Sequence, residues 1–128
     1  MHRNFMKLQA AQHIGQNTFT GYGEGYVSVN TVRYANNLIV LPDQLIPDWT
    51  VASFDALGLA DFELLATLDT EIILFGTGKQ LRFPRPELMR PLIAVQKGLE
   101  VMDIHAACRT YNVLINEGRK VAAALVFS

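Results

Sequence analysis

The residues best suited to chemistry fall in two short stretches, Gly76-Thr77-Gly78-Lys79 and the run from Glu100 to Arg109. Gly76-Thr77-Gly78-Lys79 follows an expected strand over 71–75 whose residues 72–75 are an unbroken apolar run. This places it at the C-terminal end of an expected parallel strand, where open α/β sheets bind ligands. Two glycines would free backbone N–H groups to cradle an anion, and Lys79 would add charge. The spacing matches neither G-x-G-x-x-G opening a helix nor a phosphate loop ending in Gly-Lys-Ser/Thr. A turn that needs positive φ accounts for the same residues more simply.

In the second stretch Asp103 is placed as the N-cap of a helix. It would fill with its own carboxylate the anion site that free N–H groups offer at a helix start. His105 lies in the first turn on the polar side and is the best-placed titratable group, but no second base or ligand is near it in sequence. A solvated histidine is the plainer reading. Cys108 falls on the apolar stripe between Ala107 and Tyr111 and reads as a core thiol. Glu100 interrupts an apolar strand expected in mid-sheet, where a buried carboxylate needs a partner; Arg82 and Arg109 are the candidates for an ion pair with it. The other role for Glu100 is to line a cleft beside the glycine loop. No Cys/His/Asp cluster has metal spacing and G-x-S-x-G is absent. No catalytic residue, metal or cofactor is therefore assigned.

The elements that must position these residues follow from the patterning. With 128 residues, half of them apolar, the chain reads as one domain over 1–128 that buries a core without disulfides or metal. Residues 1–5 are expected to form a flexible lead. Short β-branched or aromatic runs at 18–20, 26–29, 32–34 and 38–41 are separated by Gly21-Tyr22-Gly23-Glu24-Gly25, Asn30-Thr31 and Asn36-Asn37. They predict an antiparallel meander. Pro42-Asp43 and Pro47-Asp48 are expected to break regular structure, ahead of a short helix over 59–68 with Phe62 and Leu65 inward.

From residue 71 the order is strand, helix, strand, helix, strand, which predicts parallel strands with helical crossovers. Residues 80–83 are read as an extension toward an edge strand, 86–90 as a turn leading into a helix over 91–97, and Gly98 as its cap. The last helix carries Ile104, Ala107, Cys108, Tyr111, Leu114 and Ile115 on one stripe. Gly118 stops it, and 121–127 forms a strand apolar on both faces. The expected fold class is α/β with α+β character: a single compact layered domain, an N-terminal antiparallel meander followed by βαβαβ, with a mixed sheet and helices mainly on one face.

Charge and composition exclude several functions. Net charge is −1 and the sequence pI is near 6.3, so no basic field draws the chain to nucleic acid, although Phe83 stands within the basic run 79–90. Seven acids and no Lys or Arg lie between Asp43 and Glu71, whereas five bases and one acid lie between Lys79 and Lys97. That segregation either orients a protein partner or cancels if the two segments are neighbours. The apolar runs fall far short of the roughly 18–20 residues of a membrane helix, and the first fifteen residues lack the apolar core of a secretory signal. With Cys108 as the single cysteine, a reducing, cytoplasmic setting is expected.

FGTGKQLRFP (75–84), LEVMDIHAACRTYNVLINEGR (99–119) and VAAALVF (121–127), together with GYGEGYVSVN, LIVLPD and Trp49, resemble a known family. It is a small family of mostly uncharacterised α/β domains that includes a mitochondrial respiratory complex I assembly factor and a vertebrate adipogenesis-associated protein. The resemblance runs from about Met6 to Phe127. One departure is Asn30-Thr31, where the family tends to have Asn-Gly, and threonine fits poorly the positive φ of a type I′ turn. The resemblance implies a layered fold with a mixed sheet and a smaller β layer, and it supplies no catalytic residues. Eukaryotic members act in assembly or regulation, and bacterial members are often encoded beside protein-export genes.

The expected function is a non-enzymatic, protein-binding domain in an assembly or accessory role, with the partner unidentified. Neither nucleic acid nor a transmembrane segment is expected, and a peripheral link to membrane-protein assembly is compatible. The alternative, open to an enzymatic use, is a small anionic ligand or metabolite site drawn from Gly76, Thr77, Gly78, Lys79, Glu100, Asp103 and His105.

Overall fold

The computed structural model of the chain describes residues 6–7 and 15–128, so the expectation of a flexible lead over 1–5 lies outside the described residues. In chain order the strands β1 (Met6–Lys7), β2 (Phe19–Gly23), β3 (Tyr26–Val29) and β4 (Val32–Tyr34) form one antiparallel sheet in the order β1-β2-β3-β4. The remaining strands are β5 (Leu38–Leu41), β6 (Gln44–Pro47), β7 (Ile72–Thr77), β8 (Gly98–Met102) and β9 (Val121–Val126). They make a mixed sheet in the order β6-β5-β9-β7-β8, with β7 parallel to both β8 and β9. Helix α1 (Leu59–Ala66) precedes β7, α2 (Arg90–Ala94) joins β7 to β8, and α3 (Ile104–Asn116) joins β8 to β9.

Every residue of β9 is buried, as its two-faced apolar pattern requires of a central strand. On one side of the mixed sheet Leu38, Val40, Leu74, Ala123 and Leu125 meet Ile104, Ala107, Cys108, Tyr111 and Ile115 of α3 and the inner residues of the smaller sheet. On the other side Ile39, Leu41, Ile73, Phe75 and Val126 meet Phe62 and Leu65 of α1 and Leu92 of α2. Two of the three helices thus share one face, and α3 shares the other with the smaller sheet. Small residues let α3 sit close. A Cβ on Gly76 would stand 2.7 Å from a methyl of Leu125 and 3.1 Å from the Ile104 Cα.

The departures from expectation have physical causes. Residues 38–41 are buried throughout, so they leave the one-sided meander and join the mixed sheet, antiparallel to β9. Pro42-Asp43 is the two-residue turn of a hairpin, Leu41 pairing with Gln44, and regular structure continues through β6. Residues 80–83 are irregular. The Thr77 hydroxyl donates to the Gln80 carbonyl (2.6 Å) and accepts from the Arg82 N–H (3.1 Å), curling the chain away from the sheet. After α2 the residue with positive φ is Gln96, and Gly98 already belongs to β8. Asn30 and Thr31 keep positive φ at 50° and 71°, the type I′ geometry. The Thr31 N–H donates to the Thr20 hydroxyl at 2.8 Å, offsetting part of the strain.

The smaller sheet is docked on α3 through one buried side chain. β2 carries a register shift between Phe19 and Gly21, and the Phe19 N–H and C=O turn away from β3 toward α3. Asn112 receives both: its Oδ1 accepts from the Phe19 N–H (3.0 Å) and its Nδ2 donates to the Phe19 carbonyl (2.7 Å). The Asn112→Leu substitution leaves two buried backbone groups unpaired and is expected to cost about 3 kcal/mol, read as a lower urea midpoint at unchanged slope. A loss under about 1 kcal/mol would show that the clamp is dispensable.

Candidate functional site

A cleft of about 490 Å³ opens where the smaller sheet, the end of β7 and the start of α3 meet. Its walls are the β2–β3 turn (Gly23, Glu24, Gly25, Tyr26), the turn Gly78-Lys79, and Asp103, Ile104 and His105, with Phe127 beside them. Each wall has a local reason. The β2–β3 connection has two residues, Glu24 and Gly25, with Gly25 at φ 78°. Gly78 takes φ 50°, donates its N–H to the Val126 carbonyl (2.9 Å) and accepts from the Ile104 N–H (3.0 Å). Asp103 caps α3, its Oδ1 accepting from the Ala106 N–H at 2.9 Å.

His105 is not free in solvent. Its ring stacks on Tyr22 with centroids 4.0 Å apart, and its Nε2 lies 3.0 Å from the Gly23 carbonyl oxygen. A carbonyl only accepts, so Nε2 is the protonated nitrogen. The Tyr22 hydroxyl accepts from Arg109 Nη1 at 2.9 Å. Across the mouth Lys79 pairs with Glu24, both side chains exposed. The Lys79 ammonium, by its hydrogen bond and its charge, holds the Glu24 carboxyl below its ordinary range.

Four of the sequence-derived candidates, Gly78, Lys79, Asp103 and His105, therefore line one cleft. Gly76 and Thr77 belong to β7 and are buried beneath it. Glu100 is a correction: β8 is an edge strand, so its carboxylate is exposed and needs no buried partner. Arg82 lies over the Phe54 ring at 4.4 Å and Arg109 is turned to Tyr22, so neither pairs with Glu100. Sequence reasoning missed Glu24, Tyr22 and Tyr26, whose signal was the Gly-aromatic alternation in GYGEGY. Cys108 is fully buried, and burial pushes its thiol pKa up, away from thiolate chemistry. Among the described residues no group of three or more His, Cys, Asp or Glu could hold a metal ion.

Chemically, the cleft offers one cation, two carboxylates, an oriented imidazole and an apolar floor of Ile104, Tyr26 and Phe127. The Gly78 N–H and the first-turn N–H that Asp103 caps are already bonded within the protein. The acidic and basic segments are neighbours: α1 packs on α2, and Glu63 and Arg90 line a common groove.

The family model that matches residues 19–126 is described as a protein of unknown function (DUF498/DUF598). The chain belongs to this family. This agrees with the resemblance read from its motifs. The chain is 28% identical over 109 residues to the 13 kDa major membrane protein of Francisella tularensis subsp. holarctica, covering 84% of this chain and 89% of that protein. It is 33% identical over 104 residues to NADH dehydrogenase (ubiquinone) 1 alpha subcomplex assembly factor 3 of Bos taurus, covering 80% of this chain. The match spans only 55% of that assembly factor's length. Among solved structures, a crystal structure of a Bordetella parapertussis protein matches with a TM-score of 0.82 at 37% identity, covering 89% of this chain and 98% of that one. Among the described residues no helix is long and apolar enough to cross a membrane.

The depressed Glu24 pKa has a testable sign. Its stabilising contribution is present above the ordinary carboxylate range and is lost as pH falls through the lowered value. In Lys79→Ala the Glu24 carboxyl is expected to titrate higher, near the ordinary range, by NMR of the side-chain carbon. An unchanged titration would mean that the exposed pair does not form in solution.

Proposed function

We propose that the chain is a non-enzymatic protein-binding domain that serves in the assembly of a larger complex. The observation that carries this reading is the 33% identity, over 80% of the chain, to a protein named as an assembly factor. The domain accounts for only part of that relative, so its full activity is not transferred. Exposed apolar side chains support the reading: Phe83 is 69% and Ile93 67% exposed, with Leu81 and Val95 near half. Residues of this type, set singly among charges, supply contact area to a partner. The cytoplasm is the proposed setting, on the support of the single cysteine. A peripheral link to membrane proteins through the partner agrees with the name of the Francisella relative.

Cross-linking in native cells, followed by purification of the full chain, is expected to return one protein in fixed ratio with it. Repeated recovery without a stoichiometric partner would overturn the proposal. A second reading is favoured by the cleft, whose 490 Å³ falls in the range of small-molecule sites. Here Lys79 meets a small anion, with Gly78, Asp103 and His105 shaping the wall. Thermal stabilisation by a panel of carboxylates and phosphates, lost in Lys79→Ala, would establish this reading, and a flat panel would dismiss it.

A further inference from the structure

We propose that the outer edge of β8 is where a partner docks, by adding an extended segment to the five-stranded sheet. The proposal rests on the protein-binding reading above and names the place and the partner's chemistry. Among the described residues no strand pairs with the far side of β8. The Gly98 N–H donates to the Glu71 carbonyl at 3.1 Å, and the register pairs Ile72 with Gly98, Leu74 with Glu100 and Gly76 with Met102. Alternate residues of a parallel strand bond the same neighbour. Gly98, Glu100 and Met102 therefore turn to β7, while Leu99 and Val101 point their N–H and C=O outward.

Edges are commonly guarded by proline, lysine, a bulge or a covering element. The opposite edge, β6, ends in Pro47. β8 has neither proline nor lysine, and its residues GLEVM are only partly buried. A row of main-chain donors and acceptors with no partner among the described residues is matched by another extended backbone.

The side chains specify which backbone. Leu99 and Val101 pack toward the α2 face and Met102 toward the α3 face, so by alternation Glu100 shares the α3 face and is exposed there. On the other face Ile93 and Val95 stand exposed on the segment that leads into β8. The occupant is an extended segment with lysine or arginine opposite Glu100 and apolar residues on either side, resting on Ile93 and Val95. A second copy does not satisfy this. Full antiparallel overlap of two β8 strands sets Glu100 opposite Glu100, at about 5 Å between Cβ atoms, where like charges repel.

The test titrates the full isotopically labelled chain with a capped peptide of alternating valines and threonines carrying a central lysine. Shifts and slowed exchange are expected at the Leu99 and Val101 amides. Glu100→Lys should weaken the lysine peptide and strengthen a glutamate-centred one, each by roughly fivefold. Val101→Pro removes an outward donor without touching the β7 pairing and should abolish binding in a chain whose remaining spectrum is native. No response at β8 with peptide at millimolar concentration, or a response confined to Leu81–Phe83, would overturn the proposal; so would a dimer that Val101→Pro dissolves. A cellular partner that still binds Val101→Pro and Glu100→Lys removes the docking site but leaves the protein-binding reading. Peptide bound at β8 with no partner in cells removes the reading and leaves the edge.

Discussion

The two hydrogen bonds between Asn112 and Phe19 are the joint on which the layered arrangement depends. The smaller sheet reaches α3 on an apolar surface, and apolar packing alone is tolerant of sliding. A side-chain amide that satisfies both main-chain groups of one strand residue permits a single register. Asn112 acts here as a one-residue strand, standing where a ladder partner would be. The edge-to-face contact of Phe19 on Tyr111 (5.1 Å) and the Tyr111 hydroxyl on the Asn17 carbonyl (3.0 Å) bracket the same point. Because the cleft has the β2–β3 turn as one wall and the start of α3 as the other, its shape is set by this joint.

The same device recurs at the other junctions. Asn37 is buried and donates to the Thr50 and Ala52 carbonyls while accepting from the Phe127 N–H, tying the 50–52 segment to the end of the β5–β9 ladder. Asn17 donates to the Leu41 carbonyl, linking the entry to the smaller sheet with the end of β5. Lys97 does comparable work at the C-terminus of α1, where its ammonium donates to the Ala66 and Leu68 carbonyls. Unpaired main-chain groups are expensive when buried, and this fold satisfies them with asparagine and lysine side chains where its two sheets and its helices meet.

This explains what was legible in the residues and what was not. The stripe of α3, its Asp103 cap, the Gly118 stop and the parallel strands on either side of β7 are local patterns, and each appears where periodicity placed it. The assignment of 38–41 to the second sheet depends on pairing with residues more than eighty positions away, which no local pattern carries. Glu100 was misjudged for the same reason, since strand order decides whether a carboxylate is central or at an edge. Asn37 and Asn112 look like turn or surface residues in one dimension, and only the long-range contacts show that they hold buried backbone. The glycines were half legible: Gly78 has the positive φ expected of it, whereas Gly76 is needed for the approach of Leu125 and Ile104 rather than for a ligand.

The internal commitments of the residues narrow where function can lie. Gly78 is bonded to β9 and α3 through both its main-chain groups, Asp103 is spent on its own helix, and His105 is held by Tyr22 and the Gly23 carbonyl. A ligand that bonded to Gly78, Asp103 or His105 would displace an existing bond, whereas the exposed Lys79 and Glu24 keep capacity for a further one. Among the described residues the outward main chain of β8 has no strand partner, and apolar side chains of the 81–95 segment stand exposed. Those groups are solvated in the free chain and gain most from a macromolecular surface that excludes water over a wide area. A cleft whose main-chain groups are mostly committed, beside a periphery with exposed apolar groups, supports the proposed contact with another protein.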